Sequence, residues 1–182
     1  MLVKDIINLA CQFLDKAEFA NKLKLREELS QEEGQQLNEL VQCFNLVREE
    51  LYTEILPIVK IDRLKTQNLK VPFVDFSFMP VSILAVKDGS GRHVRHKVNN
   101  DGVVAFANEV EIWYTIKPDT LAIDDEFSST IPERIYAYGL VREFYIRKAL
   151  YNDAEIWEDR YKNSIDMLTS KKSAFIPRRR WL

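Results

Sequence analysis

Residues 130–168, TIPERIYAYGLVREFYIRKALYNDAEIWEDRYKNSIDML, carry two helical signals in immediate succession. Thr130-Ile-Pro-Glu133 reads as a capping box with proline inside the first turn, the threonine hydroxyl and glutamate carboxylate satisfying opposite backbone donors. Behind it Ile135, Tyr138, Val141, Tyr145 and Leu150 form an apolar stripe, broadened by Ala137, Phe144 and Ala149. Asn152-Asp-Ala-Glu155 then caps a further helix, in which Ala154, Trp157, Tyr161, Ile165 and Leu168 share one face. A turn of about two residues between such helices forces an antiparallel helical hairpin.

That hairpin needs partners, and the first third of the chain supplies them. Val3, Ile6, Ile7, Leu9, Ala10, Phe13 and Leu14 make a short amphipathic helix with Cys11 at its side, after which polar residues from Asp15 to Glu28 dilute the pattern. Ser30-Gln-Glu-Glu33 is a capping box that opens a longer helix, expected to run to Ile55. Its stripe is Leu37, Leu40, Val41, Phe44, Val47, Leu51 and Ile55, and Pro57 ends it. From Ile58 the period changes to two, through Val59, Ile61 and Leu64 and the aromatic run VPFVDFSF at residues 71–78. Asp88-Gly-Ser-Gly91 separates a strand at Val81–Lys87 from one at Arg92–Val98. Asn99-Asn-Asp-Gly102 leads to Val103–Ala107, and Val110–Ile116 closes a meander of hairpins able to pack its own apolar face.

The expected fold is therefore α+β: a four-helix bundle with an antiparallel β meander inserted at one end, and an extended C-terminal tail. The corresponding segments are N-terminal bundle helices at 1–57, the β-rich insertion at 58–117, an acidic loop and helical hairpin at 118–170, and the tail at 171–182. The 182 residues, 46% apolar and 30% charged, suit one domain or a core with an embedded subdomain. Cys11 and Cys43 have no paired spacing and read as reduced core residues rather than a disulfide or thiolate site. The apolar stretch from Phe76 to Val86 is broken by Pro80 and is far short of the roughly 18 residues of a membrane span, so no membrane partner is expected. Met1 to Asp5 lack the basic start and apolar run of a signal peptide, which places the chain in the cytosol where it is made.

Charge is unevenly distributed. The whole chain has 26 basic and 28 acidic side chains, but residues 1–170 have 21 against 28, a balance of −7. Lys171, Lys172, Arg178, Arg179 and Arg180 follow with no acid after Asp166. Among these charges stand Phe175, Ile176, Pro177, Trp181 and Leu182, which have no periodic partner within the segment. A tryptophan beside three arginines is costly to leave in water and suits a partner's pocket, as anchor residues do at binding hot spots. The same guanidinium groups could neutralise phosphates while the ring stacks on a base, so a nucleic-acid-binding accessory protein is the second reading.

Candidate catalytic groups are few. His93 and His96 fall three apart on one expected strand, hence on opposite faces, and read as surface residues rather than a metal pair. Asp88-Gly-Ser-Gly-Arg92 lacks the frame of a phosphate loop and reads as a β-turn. Asp119, Asp124, Asp125 and Glu126 lack the glycine and alternating spacing of a calcium loop and read as a solvated connection. The expectation is no enzyme, no metal and no cofactor.

The order of elements resembles that of the head-to-tail connector, or adaptor, proteins of tailed bacteriophages, most of all the tubular-tail and neck adaptors of short-tailed phages. The resemblance rests on the segment LVREELYTEILP, the β region, and above all residues 131–168 followed by the basic, aromatic end. Ala154, Glu158 and Tyr161 match the A-x-x-x-E-x-x-Y pattern of that family's last helix. The likeness implies a virion protein of the neck, assembled in the host cytoplasm. It would form a ring with neighbouring copies, dodecameric in that family, bound to the portal protein above and a tail or neck protein below. Viral DNA would pass without sequence-specific contact during packaging and ejection. Carried onto this chain, portal docking falls to Phe175, Ile176, Pro177, Arg178, Arg179, Arg180, Trp181 and Leu182. Arginines would meet acidic portal surface and Trp181 would fill a pocket; an acidic body would avoid gripping DNA.

Overall fold

The computed structural model describes residues 1–173 of a mixed α+β chain with five α-helices and two small antiparallel sheets. It divides into a helical unit, residues 1–48 and 120–173, and a β unit, residues 49–119.

In the helical unit α1 (Val3–Phe13) buries Val3, Ile6, Ile7, Ala10 and Cys11, the spacing of one helical face. The segment read as diluted polar sequence contains a further helix, α2 (Ala17–Leu25), which buries Phe19, Ala20 and Leu23. Its N-cap is Lys16, with no side-chain cap hydrogen bond, so none of the usual sequence signals marks its start. Its end is equally silent. Arg26 takes the left-handed conformation (φ 57°) and Glu27 N–H donates back to the Lys22 carbonyl, the closing bond of a Schellman motif. The same device ends α1 at Asp15 (φ 55°), where Lys16 N–H reaches Cys11, and α4 (Glu133–Arg147) at Ala149 (φ 57°), where Leu150 N–H reaches Tyr145. Three helices thus stop without glycine.

α3 (Gln31–Glu50) starts on the expected capping box: Ser30 N–H donates to Glu33 Oε2 at 2.8 Å and Glu33 N–H to Ser30 Oγ at 3.2 Å. The helix proper ends at Glu50, and Leu51–Ile55 continue as a wider π-helical turn. α4 departs from its expected cap. Pro132 is the N-cap without a side-chain bond, and Ser129 Oγ, not Thr130, accepts a local backbone bond, from Ile131 N–H. α5 (Tyr151–Ser173) also starts earlier than expected, so Asn152 to Glu155 lie inside its first turn. It runs through residues 171–173, which the sequence had assigned to the tail.

The α4–α5 hairpin is antiparallel: Gly139 faces Tyr161, and Arg142 pairs with Glu158. Gly139 is the point of closest approach, where a Cβ would stand 2.5 Å from Val47 Cγ1 on α3 and 3.0 Å from Tyr161 Cε2 on α5. The connecting loop before α4 is pinned rather than merely solvated. Asn45 on α3 clamps Leu121 through two 2.9 Å bonds, to its carbonyl and from its amide. Phe127 inserts beside Phe44 and Tyr136, and Phe127 N–H donates to the Met1 carbonyl.

In the β unit the strands are β1 (Ile58–Lys65), β2 (Lys70–Pro72), β3 (Pro80–Asp88), β4 (His96–Asn99), β5 (Gly102–Ala105) and β6 (Glu109–Ile116). They do not form a single meander. The sheet orders are β1-β6-β3 and β2-β5-β4, so β6 sits between two strands that precede it by tens of residues. β4–β5 keeps the expected hairpin pairing, and the hairpin expected around Asp88–Gly91 persists only next to its turn, where Lys87 bridges His93 and Val94 N–H donates to the Val86 carbonyl. Val71, Phe76, Val86, Val103, Ala105, Val110, Ile112, Tyr114 and Ile116 form the shared core of the two sheets. On β1 the core face is Ile58, Lys60, Asp62 and Leu64, while Val59 and Ile61, expected to help define the apolar pattern, point outward at 41% and 48% exposure.

Candidate interaction surfaces

The docking residues expected from sequence, Phe175, Ile176, Pro177, Arg178, Arg179, Arg180, Trp181 and Leu182, lie outside the described residues. What the structure defines is their base, the α4–α5 hairpin. Ala154 and Tyr161 are buried on the inner face of α5. Glu158, between them, accepts from Arg142 Nη1 at 3.0 Å and pairs with Lys162 at 2.8 Å. Arg142 is 7% exposed, donates through Nη2 to Glu143, and stacks over the Tyr161 ring, 4.7 Å from its centroid. Burial alone would raise the Glu158 carboxyl pKa. Hydrogen bonds from Lys162 and Arg142, with their charges, outweigh it and hold the group below its ordinary range. The three pattern residues therefore form one seam, two by packing and one by charge.

The isolated chemical candidates do not converge. His93 and His96 are both exposed and do not share a strand: His93 bridges to Lys87 on the margin of β3, and His96 opens β4 in the other sheet. Asp88 Oδ1 accepts from Ser90 N–H, Ser90 Oγ and Arg92 N–H while Gly91 adopts φ 82°, which is a side-chain-braced turn. In the acidic loop Asp125 Oδ2 accepts from Ala122 N–H at 2.7 Å and Glu126 meets the N-terminal ammonium at 3.5 Å. Asp119, Asp124, Asp125 and Glu126 thus serve separate local contacts or face solvent. Among the described residues no group of three or more His, Cys, Asp or Glu side chains is placed to hold a metal ion. Cys11 and Cys43 are free and buried, and burial pushes both thiols up to about 11, which keeps them protonated and unreactive at neutral pH.

The β unit offers contact surface instead. Asp62 accepts from Ser77 N–H (2.7 Å), Ser77 Oγ (3.0 Å) and the Tyr114 hydroxyl (2.7 Å). Burial pushes the Asp62 carboxyl upward, but these bonds prevail and lower its pKa; burial, and then the bond to Asp62, push Tyr114 up to about 12. On the opposite face β6 places Glu111 against Arg63 at 3.0 Å and Glu109 against Lys65 at 3.7 Å. These pairs line a recess of about 430 Å³ that Asp88, Gly89 and Gly91 close. Arg63 and Lys65 are matched within the sheet by Glu111 and Glu109, and the Asp88 carboxylate is spent on the backbone and side chain of its own turn. On β1 and β3, which flank β6, Val59, Ile61, Val81 and Leu84 are exposed apolar residues. On β1 alternation alone cannot reveal the exposed side, because it specifies two faces of a strand without saying which is buried.

No family model and no curated protein matches the chain. Among the described residues no helix is long and apolar enough to cross a membrane.

Proposed function

We propose that this protein is a structural component of a phage neck, a head-to-tail adaptor whose C-terminal segment docks on the portal. α1, α3, α4 and α5 are, in this reading, the four helices of an adaptor bundle, α2 is an elaboration of the first connection, and the β unit is the insertion between α3 and α4. The observation that carries the reading is the α4–α5 hairpin. Its seam is built from the residues of the A-x-x-x-E-x-x-Y pattern, Ala154, Glu158 and Tyr161. Its last helix leads into a segment with three consecutive arginines and a tryptophan. A −7 body joined to a cationic end suits partner-directed assembly, where complementary charge sets register and encounter rate.

Truncation after residue 174 tests this. Loss of portal and particle association, with DNA binding unchanged, supports the adaptor. A full-length protein whose DNA affinity falls steeply with salt, and disappears on truncation, supports instead the accessory protein that binds nucleic acid through the same arginines.

A further inference from the structure

β1 is an edge strand, and among the described residues no strand pairs with its outer side. Thr66 N–H donates to the Asn108 carbonyl immediately beyond the β1–β6 ladder, in which Lys65 faces Glu109. Antiparallel pairs alternate, so Ile58, Lys60, Asp62 and Leu64 exchange hydrogen bonds with β6, while the N–H and C=O groups of Val59, Ile61 and Arg63 point away from it. The ladder runs over eight residues without a register shift. The opposite edge of the sheet is different. β3 begins at Pro80, has two register irregularities, and is partly covered by its own return, through Asp88 N–H to Arg92 and Val94 N–H to Val86. Those are devices that discourage edge pairing; among the described residues β1 has no bulge or proline, and Ser77 and Phe78 touch it only through the Asp62 and Lys60 side chains of its inner face.

We propose that β1 pairs with β1 of a second copy about a two-fold axis through Ile61, fusing two three-stranded sheets into one continuous sheet. The register is selected by the side chains. With Ile61 opposite Ile61 of the second copy, Val59 faces Arg63 and Arg63 faces Val59, so every outward backbone group of the three residues finds a partner. On the other face each Lys60 meets the other copy's Asp62, and each Ile58 meets Leu64. Moving the axis by one residue either way sets Lys60 against Lys60 or Asp62 against Asp62, like charges directly opposite one another. The strand thus complements itself in charge and in apolar contact in one register only. Arg63 and Lys65 add no repulsion, being matched by Glu111 and Glu109 in their own sheet. The basic C-terminal segment is a poorer occupant, because β1 itself carries three basic residues and one acid.

The pairing is isologous and does not rest on the adaptor reading; a ring uses head-to-tail contacts, so ring assembly would have to separate such a pair. Sedimentation of the full-length chain across a concentration series, combined with cysteine trapping, tests it. Residues opposite one another in a hydrogen-bonded antiparallel pair have Cα atoms about 5.5 Å apart, within disulfide range. Ile61→Cys should therefore give a disulfide-linked dimer on mild oxidation. Val59→Cys should not, its two copies lying four residues out of register, about 14 Å apart. Ile61→Pro keeps the β6 ladder, since the lost N–H points away from it, and should weaken the dimer at least about tenfold with unchanged far-UV ellipticity. A chain that stays monomeric with no trapping at position 61 overturns the proposal. So does an association that Ile61→Pro leaves intact, or trapping at 59 as efficient as at 61.

Discussion

Replacing Gly139 by alanine puts a methyl group where α3, α4 and α5 meet. In an open helix the change would stabilise the protein by about 1 kcal/mol through helix propensity. Here the new Cβ would stand 2.5 Å from Val47 Cγ1 and 3.0 Å from both Val47 Cγ2 and Tyr161 Cε2. Val47 is fully buried and β-branched, with one strongly preferred rotamer in a helix, and Tyr161 is 1% exposed, so neither can swing aside. Overpacking a tight core costs about 1–3 kcal/mol, and two immobile neighbours place this site at the upper end. The net expectation is a loss of about 2 kcal/mol, or a fall in Tm of roughly 4–8 °C for a chain of this size. Val47→Ala removes both obstructing methyl groups and alone should cost about 1.6 kcal/mol of transfer energy. In its background Gly139→Ala should be neutral or stabilising, a coupling of about 2 kcal/mol or more between residues far apart in sequence. Urea unfolding of the four proteins, followed by far-UV ellipticity, measures it. A wild-type background in which Gly139→Ala stabilises, or additivity within about 0.5 kcal/mol, would refute the three-helix contact.

Four further outcomes follow from the described contacts. Ala149→Gly should raise stability by about 0.5–1 kcal/mol in thermal unfolding, because it relieves a left-handed residue costing about 1–2 kcal/mol and gives back part of that in chain entropy. Arg142→Ala should cost about 3 kcal/mol by removing one partner of a largely buried pair. The lowered Glu158 carboxyl pKa also makes this pairing pH-dependent: its contribution is complete above the ordinary carboxylate value of 4.5 and fades as pH falls through the folded value. Glu158→Gln should therefore flatten the acid limb of a stability–pH profile. Gly102→Ala should lower stability by about 2 kcal/mol and loosen β2, since its Cβ would collide with the Val71 carbonyl and crowd Pro72; slowed-exchange amides of β2 and β5 report it.

Much of the helical unit was legible because its signals are local. Ser30 and Glu33 form the reciprocal cap that their spacing implies, and the stripe Leu40, Phe44, Val47 faces the core. α2 was not legible, since Lys16 caps nothing and Arg26 ends the helix in a conformation that sequence reading assigns to glycine or asparagine. Strand positions were readable from period and turns, but sheet order was not. β1 pairs with β6 from Ile58↔Ile116 to Leu64↔Val110, and such non-local pairing leaves no mark in a short window. The outward aspect of Val59 and Ile61 followed from that pairing and was equally hidden. The chemical candidates fared differently: the Asp88 turn is as its sequence suggests, whereas the acidic loop owes its order to Asn45 and Phe127, which no motif advertises.

The central claim is that the C-terminal segment beyond α5 seats this chain on a portal. Electron cryomicroscopy of assembled particles, with the exposed Gly89–Gly91 turn labelled, measures it most directly. The account predicts label arrayed around the capsid vertex just below the portal, with residues 175–182 in contact with portal surface, and its loss when the chain stops at residue 174. Particles that lack the chain, or that retain it in place after that truncation, would contradict it.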